Sequence, residues 1–333
     1  MGLLYVNDCR CTGNGAILNT AISLLLPIRD GESFLSSARA QVQATADSND
    51  EILIVDDGST DSTAQLLKEW AKQDHRIRIL TGRGRGLVSA LNLGLAEASN
   101  EWIARFDVDD HYAANRLDVQ REAIRDGMVA CFSDYDFFGD NSRRFGTIPS
   151  AIFPSAVSVS LCMSQRTAHP SVIYSKSAVS AVGGYRKEDF PAEDLSLWLR
   201  LSRVGDLISI PSVLLHYRLG QGSISMTRRV EMQQRTQQLV KELGILSSDI
   251  HECLSNWEHL CSLYSAIDLG WQRKILLYRE LRMLSNSINL SSEDIKHLGA
   301  FKIYLLRHLQ TISAFADLST FTLKRRLYRF SNS

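Results

Sequence analysis

The first third of the chain alternates short apolar runs with helical patterns, and this alternation is the strongest constraint on its fold. Buried strands are predicted at residues 21–26, 51–55, 76–80 and 102–106. Helical periodicity occupies the intervening residues 32–46, 62–72 and 87–98. Strands and helices that alternate over short links form a parallel sheet covered on both faces. Ligands bind such sheets at the carboxyl ends of the strands.

The character of the sequence changes near Met226. Proline is absent after Pro211, and helical periodicity dominates the C-terminal third of the chain. The chain therefore divides into three predicted parts: an N-terminal arm over 1–20, an α/β domain over 21–225 and a helical C-terminal region over 226–333.

Composition limits the classes of function. Lys plus Arg and Asp plus Glu each number 37, so the formal charge gives no overall attraction to nucleic acid, and no nucleic-acid partner is expected. No segment reaches the roughly 18 apolar residues of a membrane span, and the N-terminus does not resemble a signal peptide. The six cysteines lack zinc-site spacing, so reduced thiols in a cytoplasmic protein are expected.

Acidic residues follow two of the predicted strands. Asp56 and Asp57 follow the second strand, where a carboxylate can accept hydrogen bonds from a nucleobase or ribose. Asp107 and Asp109 follow the fourth, and as alternate residues of an extended segment they would share a face. Two carboxylates so spaced can hold a hard divalent cation and a sugar diphosphate, although a solvated acidic loop has the same pattern.

Two further segments carry features of a site. Gly82–Gly86, with Arg85, precedes a helix, where backbone N–H groups can approach a phosphate. Glu193 and Asp194 open an amphipathic helix, and one of them can serve as a general base toward an acceptor hydroxyl. The alternative is that these two carboxylates only stabilise the helix dipole.

Taken in order, these motifs resemble the family 2 glycosyltransferases with the GT-A fold. The resemblance extends from about Ala21 to about Ser225. It is carried by Leu26–Glu32, Val55–Ser59, Gly86–Asn92, Ile103–Asp110, Arg116, Gln120, His169–Ser171, Gly183–Tyr185, Ala192–Asp194 and Tyr217–Arg218. It implies a Rossmann-like mixed α/β sheet of the nucleotide-diphospho-sugar transferase type, flanked by helices and followed by the helical appendage.

The resemblance also implies roles for individual residues. A nucleotide-sugar would contact Pro27, Arg29, Glu32, Asp57, Arg85, Asp107 and Arg218. Mn²⁺ or Mg²⁺ would bind Asp109 and Asp107, with His216 as a third ligand or, alternatively, as a structural histidine. Asp194 would be the catalytic base, with Glu193 beside it. Arg29-Asp30 stands where the family often has Tyr-Asn, and no Q-x-x-R-W motif follows Asp194, which argues against a processive synthase.

The predicted function is inverting transfer of one hexose-type sugar from a nucleotide-sugar, with UDP as the expected nucleotide, to a glycan or lipid-linked acceptor. The setting would be the synthesis of lipopolysaccharide, O-antigen or capsule. The basic segment Phe321–Phe330 suits contact with an anionic membrane, or a solvated helix end. The alternatives are a non-catalytic nucleotide-sugar or glycan-binding module and a pyrophosphorylase, whose N-terminal glycine-rich loop is absent.

Overall fold

A computed structural model of the protein describes residues 20–139, 143–150, 154–163, 166–220, 223–244 and residue 296. By its internal contacts the chain divides into two units, Met1–Ile245 and Leu246–Ser333. The strands and helices described belong to the first unit. The predicted N-terminal arm up to residue 19, the helices predicted beyond residue 245 and the basic segment Phe321–Phe330 lie outside the described residues.

The described strands form one mixed sheet. They are β1 (Ile22–Ile28), β2 (Glu51–Asp56), β3 (Ile77–Thr81), β4 (Trp102–Arg105), β5 (His111–Tyr112), β6 (Met128–Phe138), β7 (Arg144–Ile148), β8 (Ile173–Ser175) and β9 (Asp206–Arg218). Their order across the sheet is β3-β2-β1-β4-β8-β6-β9-β5, and β7 pairs with β6.

Helices pack on this sheet. They are α1 (Leu35–Thr45), α2 (Thr63–Gln73), α3 (Leu87–Glu97), α4 (Arg116–Glu122), α5 (Pro154–Met163), α6 (Lys176–Ala181), α7 (Glu193–Leu201), α8 (Ile224–Thr227) and α9 (Arg229–Leu243). Short 3-10 helices occupy His169–Ser171 and Lys187–Asp189.

The parallel half of the sheet agrees with the sequence prediction. β1 pairs in parallel with β2 and β4, and β2 pairs in parallel with β3. The four predicted strands and three predicted helices are confirmed, each boundary within three residues. α1 begins at Leu35 rather than Glu32, because the preceding residues form a turn in which the Phe34 N–H donates to the Gly31 carbonyl over 2.9 Å.

Apolar side chains fill both faces of this half. On one face Leu25, Leu53 and Ile103 belong to a core beneath α3 and α7. On the other face Leu24 and Ile54 belong to a core beneath α1 and α2. Because adjacent residues of a strand point to opposite faces, burial on both sides requires the continuous apolar runs that the sequence shows.

The antiparallel half places the end of β9 beside the turn that follows β4. β9 pairs in parallel with β6 and antiparallel with β5, and His216 lies in register with His111. The main-chain N–H of Arg218 donates to the Asp110 carboxylate over 2.7 Å. Residues a hundred positions apart in sequence therefore meet at one edge of the sheet.

Candidate active site

The loops after β1 and β2 are joined by hydrogen bonds. The Asp30 carboxylate accepts from the main-chain N–H and the hydroxyl of Thr60, over 2.7 and 3.1 Å, and the Asp30 N–H donates to the Ser59 hydroxyl. The Glu32 carboxylate accepts from the Ser62 N–H over 3.2 Å. These hydrogen bonds fix the loop that carries Glu32 against the loop after β2.

Pro27 and Arg29 differ in their accessibility. Pro27 is buried within β1, in register with Val55 of β2. Arg29 lies at the surface, and its Nε is 3.7 Å from the Asp30 carboxylate. Of these two predicted nucleotide contacts, only Arg29 therefore presents its side chain to solvent.

Asp57 caps the N-terminus of α3. Its buried carboxylate accepts the main-chain N–H groups of Arg85 and Gly86, over 3.1 and 2.7 Å. A Cβ at Gly82 would lie 2.7 Å from the same carboxylate, so glycine is required for the loop to pass. The N–H groups that we expected to approach a phosphate are thus bonded to Asp57, while the Arg85 side chain is exposed.

Asp107 and Asp109 lie on a turn, so the prediction that they alternate along an extended segment is wrong. Val108 and Asp109 are turn residues, and the Asp110 N–H lies 3.4 Å from the Asp107 carbonyl. The two carboxylates nevertheless remain close enough to interact. Burial and the charge of Asp107 raise the pKa of Asp109 to about 6.

Asp110 is a third carboxylate of this turn, and sequence reasoning gave it no role. One of its oxygens accepts the Arg218 N–H, and the other has no hydrogen-bond partner among the described residues. Burial, followed by the charges of Asp107 and Asp109, raises its pKa well above the usual value. Three acidic residues lie within positions 107–110, and this cluster was the sequence signal that could have identified Asp110.

His216 has a structural partner. It is buried on β9, and its Nδ1 lies 2.6 Å from the Asp136 carboxylate on β6. The sequence left two roles open for His216, a metal ligand and a structural histidine, and this contact is of the structural kind. Among the described residues, no group of three or more His, Cys, Asp or Glu side chains is arranged to hold a metal ion.

A cavity of about 400 Å³ adjoins the turn. It is lined by Phe34, Ser37, Val108, Asp109, His111, Phe138, Gly139 and Arg218. The Arg218 guanidinium lies 4.7 Å from the centre of the Phe34 ring, and His111 stacks on Phe138 at 4.5 Å. Asp109 and Arg218, which were both predicted from the sequence as site residues, therefore line the same cavity.

Glu193 and Asp194 lie at the start of α7, where Glu193 is buried and Asp194 is partly exposed. Burial and the charge of Asp194 raise the pKa of Glu193 to about 8, and one of its oxygens has no partner in the described part of the chain. Burial also raises the pKa of Asp194, whose carboxylate accepts the Leu195 N–H over 2.7 Å. The charge of Asp107 makes a further, smaller contribution to the raised pKa of Glu193.

Arg105 is buried beside Asp107, and the sequence analysis gave it no role. It is 2% exposed, and its guanidinium donates to the Asp107 carboxylate over 2.5 Å. Its charge acts on Asp109, Glu193 and Asp194, lowering the pKa of each against the opposing effect of burial. An arginine at the end of an otherwise apolar strand was the available signal.

His169 is partly buried and packs against Tyr185 and Trp198, which is the packing role that was predicted. Its Nε2 lies 2.9 Å from the Tyr185 hydroxyl, and its ring contacts Trp198 edge to face at 5.7 Å. Burial, and next the charge of Arg105, lower its pKa well below the usual value, so the imidazole is neutral.

No helix in the described part of the chain is long and apolar enough to cross a membrane. Cys131 and Cys162, the cysteines in the described part of the chain, are both buried and are not joined in a disulfide.

Comparison with known sequences identifies a family and relatives. Residues 23–176 match the family described as glycosyl transferase family 2. An uncharacterized glycosyltransferase of Rickettsia felis is 24% identical over 211 residues, which cover 62% of this chain and 34% of that protein. The chain thus spans about a third of the length of this relative. The Escherichia coli UDP-Glc:alpha-D-GlcNAc-diphosphoundecaprenol beta-1,3-glucosyltransferase WfgD is 25% identical, over 64% of this chain and 83% of WfgD.

Comparison with solved structures identifies the fold. TarS of S. aureus, residues 1–349 in complex with UDP-GlcNAc, superposes with a TM-score of 0.57. The aligned parts are 15% identical and cover 78% of this chain and 79% of TarS. This likeness confirms the predicted GT-A architecture, a mixed sheet flanked by helices.

Proposed function

We propose that the chain transfers a single sugar from a nucleotide-sugar to an acceptor hydroxyl, and the match of residues 23–176 to the family described as glycosyl transferase family 2 supports this. The observation that carries this proposal is the cavity that Asp109 and Arg218 line together. Asp109 follows β4 at the carboxyl edge of the parallel strands, where ligands of such sheets bind.

The donor nucleotide would bind across the loops after β1, β2 and β3. Arg29 and Glu32 are presented by the first loop, and exposed Arg85 by the third. Asp57 fixes the third loop against the second through its two main-chain contacts. Arg218, at the cavity beside Asp109, is placed to offset the negative charge of a diphosphate.

The acids of the turn fit a divalent cation. Asp107 and Asp109 would supply oxygen ligands of the kind that Mg²⁺ and Mn²⁺ prefer. The pKa of Asp109 is raised by burial and then by the charge of Asp107, and a bound cation would offset both effects. The Asp136 carboxylate lies beside Nδ1 of His216. Carboxylates make the same contact with histidines that bind a metal through their other ring nitrogen, so we keep His216 as a proposed third ligand. When bound, the cation supplies positive charge beside the departing diphosphate.

Transfer proceeds by a single displacement in this proposal. Asp194 accepts the proton of the acceptor hydroxyl, whose oxygen attacks the anomeric carbon as the bond to the nucleoside diphosphate breaks. One base and no covalent intermediate lead to inversion at that carbon. Asp194 is partly exposed, so an acceptor hydroxyl can approach its carboxylate.

The comparisons support a specific donor and acceptor class. WfgD is named for UDP-Glc and a GlcNAc-diphosphoundecaprenol acceptor, and the TarS structure contains UDP-GlcNAc. We therefore propose a UDP-sugar as donor and a lipid-linked glycan as acceptor, in the synthesis of a cell-surface polysaccharide.

Calorimetric titration of nucleoside diphosphates, with and without Mn²⁺, tests the donor site. We expect one nucleotide, UDP, to bind in a Mn²⁺-dependent way to the wild type and at least about tenfold more weakly to Asp109→Ala. The matched control is Asp126→Ala, because Asp126 is an exposed acid outside the site. If none of the nucleotides binds, the proposal is wrong. Binding without transfer to any lipid-linked acceptor would favour the non-catalytic module.

A further inference from the structure

Exposed apolar side chains are concentrated where α8 meets α9. Five large apolar side chains of the described residues are exposed, and three of these are Ile224, Met226 and Val230, which are 40%, 43% and 68% exposed. Scattered apolar residues are ordinary on a protein surface, whereas a group of them indicates contact with something other than water. We name these three residues, with Arg228 and Arg229, the junction surface.

The packing of α9 in the fold does not account for Val230. Met232, Leu239 and Val240 are the residues of α9 that lie in or against the core that contains Trp198. The exposed positions after Val230 carry polar side chains, namely Glu231, Gln233, Gln234, Gln237, Gln238, Lys241 and Glu242. The exposed apolar part of this helix is thus confined to its first turn, next to α8.

The two arginines give the junction surface a positive charge. Arg228 and Arg229 are both exposed, and Glu231, 3.0 Å from Arg228, is the one acidic residue from 223 to 234. Apolar side chains flanked by cations suit an anionic membrane, because the apolar groups enter the interface and the cations attract lipid phosphates. A twofold contact between two copies of the chain would instead bring like charges together. The charge therefore favours a membrane over a second copy.

The junction surface begins close to the end of β9. The Ser223 N–H donates to the Gly220 carbonyl over 3.1 Å, which closes a turn shortly after β9. The two ends of such a turn lie within about 7 Å of each other, so the Cα atoms of Ile224 and Arg218 are no more than about 18 Å apart. Arg218 lines the cavity beside Asp109. The apolar group is therefore near the opening where the donor diphosphate is proposed to bind.

The junction surface also contacts the segment that precedes the proposed base. The Arg228 guanidinium lies 5.2 Å from the centre of the Phe190 ring, and Phe190 is four residues before Asp194. Further along α9, Arg235 pairs with buried Asp189. These contacts fix α9 against the segment that leads into α7. A membrane that met the junction surface would thus lie near both the donor cavity and the proposed base.

We propose that the junction surface docks on an anionic lipid bilayer and thereby holds the candidate site at the membrane, where a lipid-linked acceptor is embedded. The three apolar side chains enter the level of the headgroups, while the two arginines contact lipid phosphates. The inference rests on the proposed function, because a lipid-linked acceptor gives the contact its role. The junction surface is separate in sequence from the basic segment Phe321–Phe330.

Sedimentation of the full chain with lipid vesicles tests the docking. The vesicles contain phosphatidylcholine with or without phosphatidylglycerol, so that they differ in charge. We expect the wild type to partition at least about fivefold more strongly to the anionic vesicles, and the double variant Ile224→Asp, Val230→Asp to bind them at least about tenfold more weakly. Arg229→Gln removes one cation and should weaken binding about fivefold.

Two matched controls make the same kinds of change elsewhere. Val204→Asp alters an apolar side chain that is 57% exposed between α7 and β9, and Lys241→Gln removes an exposed cation near the end of α9. Both should partition like the wild type. Should the double variant fail to fold, Ile224→Ser with Val230→Ser carries the same expectation. A folded double variant that binds like the wild type, or a wild type that binds neither vesicle, would overturn the proposal.

Sedimentation equilibrium without lipid tests whether a second copy of the chain covers the surface instead. We expect the wild type and the double variant to have the same mass. A dimer that the double variant converts to a monomer, with vesicle binding unchanged, would assign the surface to contact between copies and overturn the docking.

Transfer assays separate this inference from the proposed function. We expect the double variant to transfer sugar at least about tenfold more slowly to a lipid-linked acceptor in anionic vesicles, and within about twofold of the wild-type rate to a water-soluble acceptor with a short alkyl chain. If the wild type binds vesicles through the junction surface and transfers no sugar, only the proposed function fails. If the wild type transfers sugar and the double variant equals it on both acceptors and in vesicle binding, only the docking fails.

Discussion

At the scale of single residues, the two neighbouring acids of α7 have different surroundings. Asp194 has a main-chain N–H donor that stabilises its charged form, whereas Glu193 keeps one buried oxygen without a partner in the described part of the chain. The pKa of Glu193, raised to about 8 by burial and by Asp194, leaves it protonated at neutral pH. The pair thus divides into one carboxylate that can accept a proton and one carboxyl group that can donate a hydrogen bond.

This division predicts unequal effects of two isosteric substitutions. Asp194→Asn removes the base and should lower kcat by about 100-fold or more at pH 7. Glu193→Gln resembles the protonated form already present, so we expect it to keep the rate within about fivefold. The measurement is release of nucleoside diphosphate in the presence of acceptor. Equal losses in the two variants would show that the roles are not divided.

Glu193 also predicts how stability depends on pH. Its pKa rises from the usual 4.5 to about 8 on folding, so the folded protein binds more protons than the unfolded chain between these values. The contribution to stability is present below pH 4.5 and is lost as the pH rises through 8, on the order of a few kcal/mol. Thermal unfolding midpoints measured from pH 5 to 9 should fall more for the wild type than for Glu193→Gln. Glu122→Gln, at an exposed position, should follow the wild type.

At the scale of elements, α3 illustrates how closely a helix and a strand approach each other. Gly94 of α3 faces Leu25 of β1, and a Cβ there would lie 2.1 Å from a Leu25 methyl carbon. The helix can therefore pack at this distance only because position 94 has no side chain. The same helix begins at Leu87, directly after Gly86, whose main-chain N–H donates to Asp57, so its position also fixes the third loop of the candidate site.

Gly94→Ala should destabilise the protein although alanine favours helices. The gain in helix propensity is at most about 1 kcal/mol, while overpacking a buried contact costs about 1–3 kcal/mol. Urea denaturation should show a lower midpoint with an unchanged slope. In a double-mutant cycle, Leu25→Ala should relieve the clash, so the combined cost should be smaller than the sum. A midpoint for Gly94→Ala at or above the wild-type value would contradict this contact.

The sequence predicted some elements well for physical reasons that are local. β1, β2 and β4 are buried on both faces, so their apolar runs are continuous, and the helices between them show the period of one buried face. The partner of Asp57 is not a local property. It depends on the distance between two loops 28 residues apart, which bonds two main-chain N–H groups of the third loop to Asp57.

For a similar reason, some features of the candidate site could be predicted from the sequence and others could not. Composition and order placed Asp107, Asp109, Glu193 and Asp194 at ends of elements, and the structure confirms those positions along the chain. The turn at Val108 was not predicted, because the spacing of Asp107 and Asp109 was interpreted as a continuation of the strand. The burial of Arg105 was not predicted, because a charged residue at a strand end is usually exposed, whereas in the structure Arg105 is 2% exposed.

At the scale of the whole molecule, the first unit depends on a helix that the sequence assigned to the C-terminal region. α9 packs on α7, and Leu239 is buried in the core that contains Trp198. Arg235 of α9 pairs with buried Asp189, whose carboxylate also accepts the Ser196 hydroxyl of α7. The ion pair of Arg235 therefore fixes the segment that precedes the Glu193–Asp194 pair against α9.

Leu239→Ala therefore tests whether α9 is part of the cooperative unit that contains the site. Because Leu239 is fully buried, we expect a loss of about 2–5 kcal/mol, whereas Gln237→Ala, at an exposed position on the same helix, should change stability by less than about 0.5 kcal/mol. Urea denaturation monitored by tryptophan fluorescence and by circular dichroism should show coincident transitions in the variant. If α9 belonged to a separate appendage, Leu239→Ala would shift an early phase alone and leave the main transition of the sheet in place.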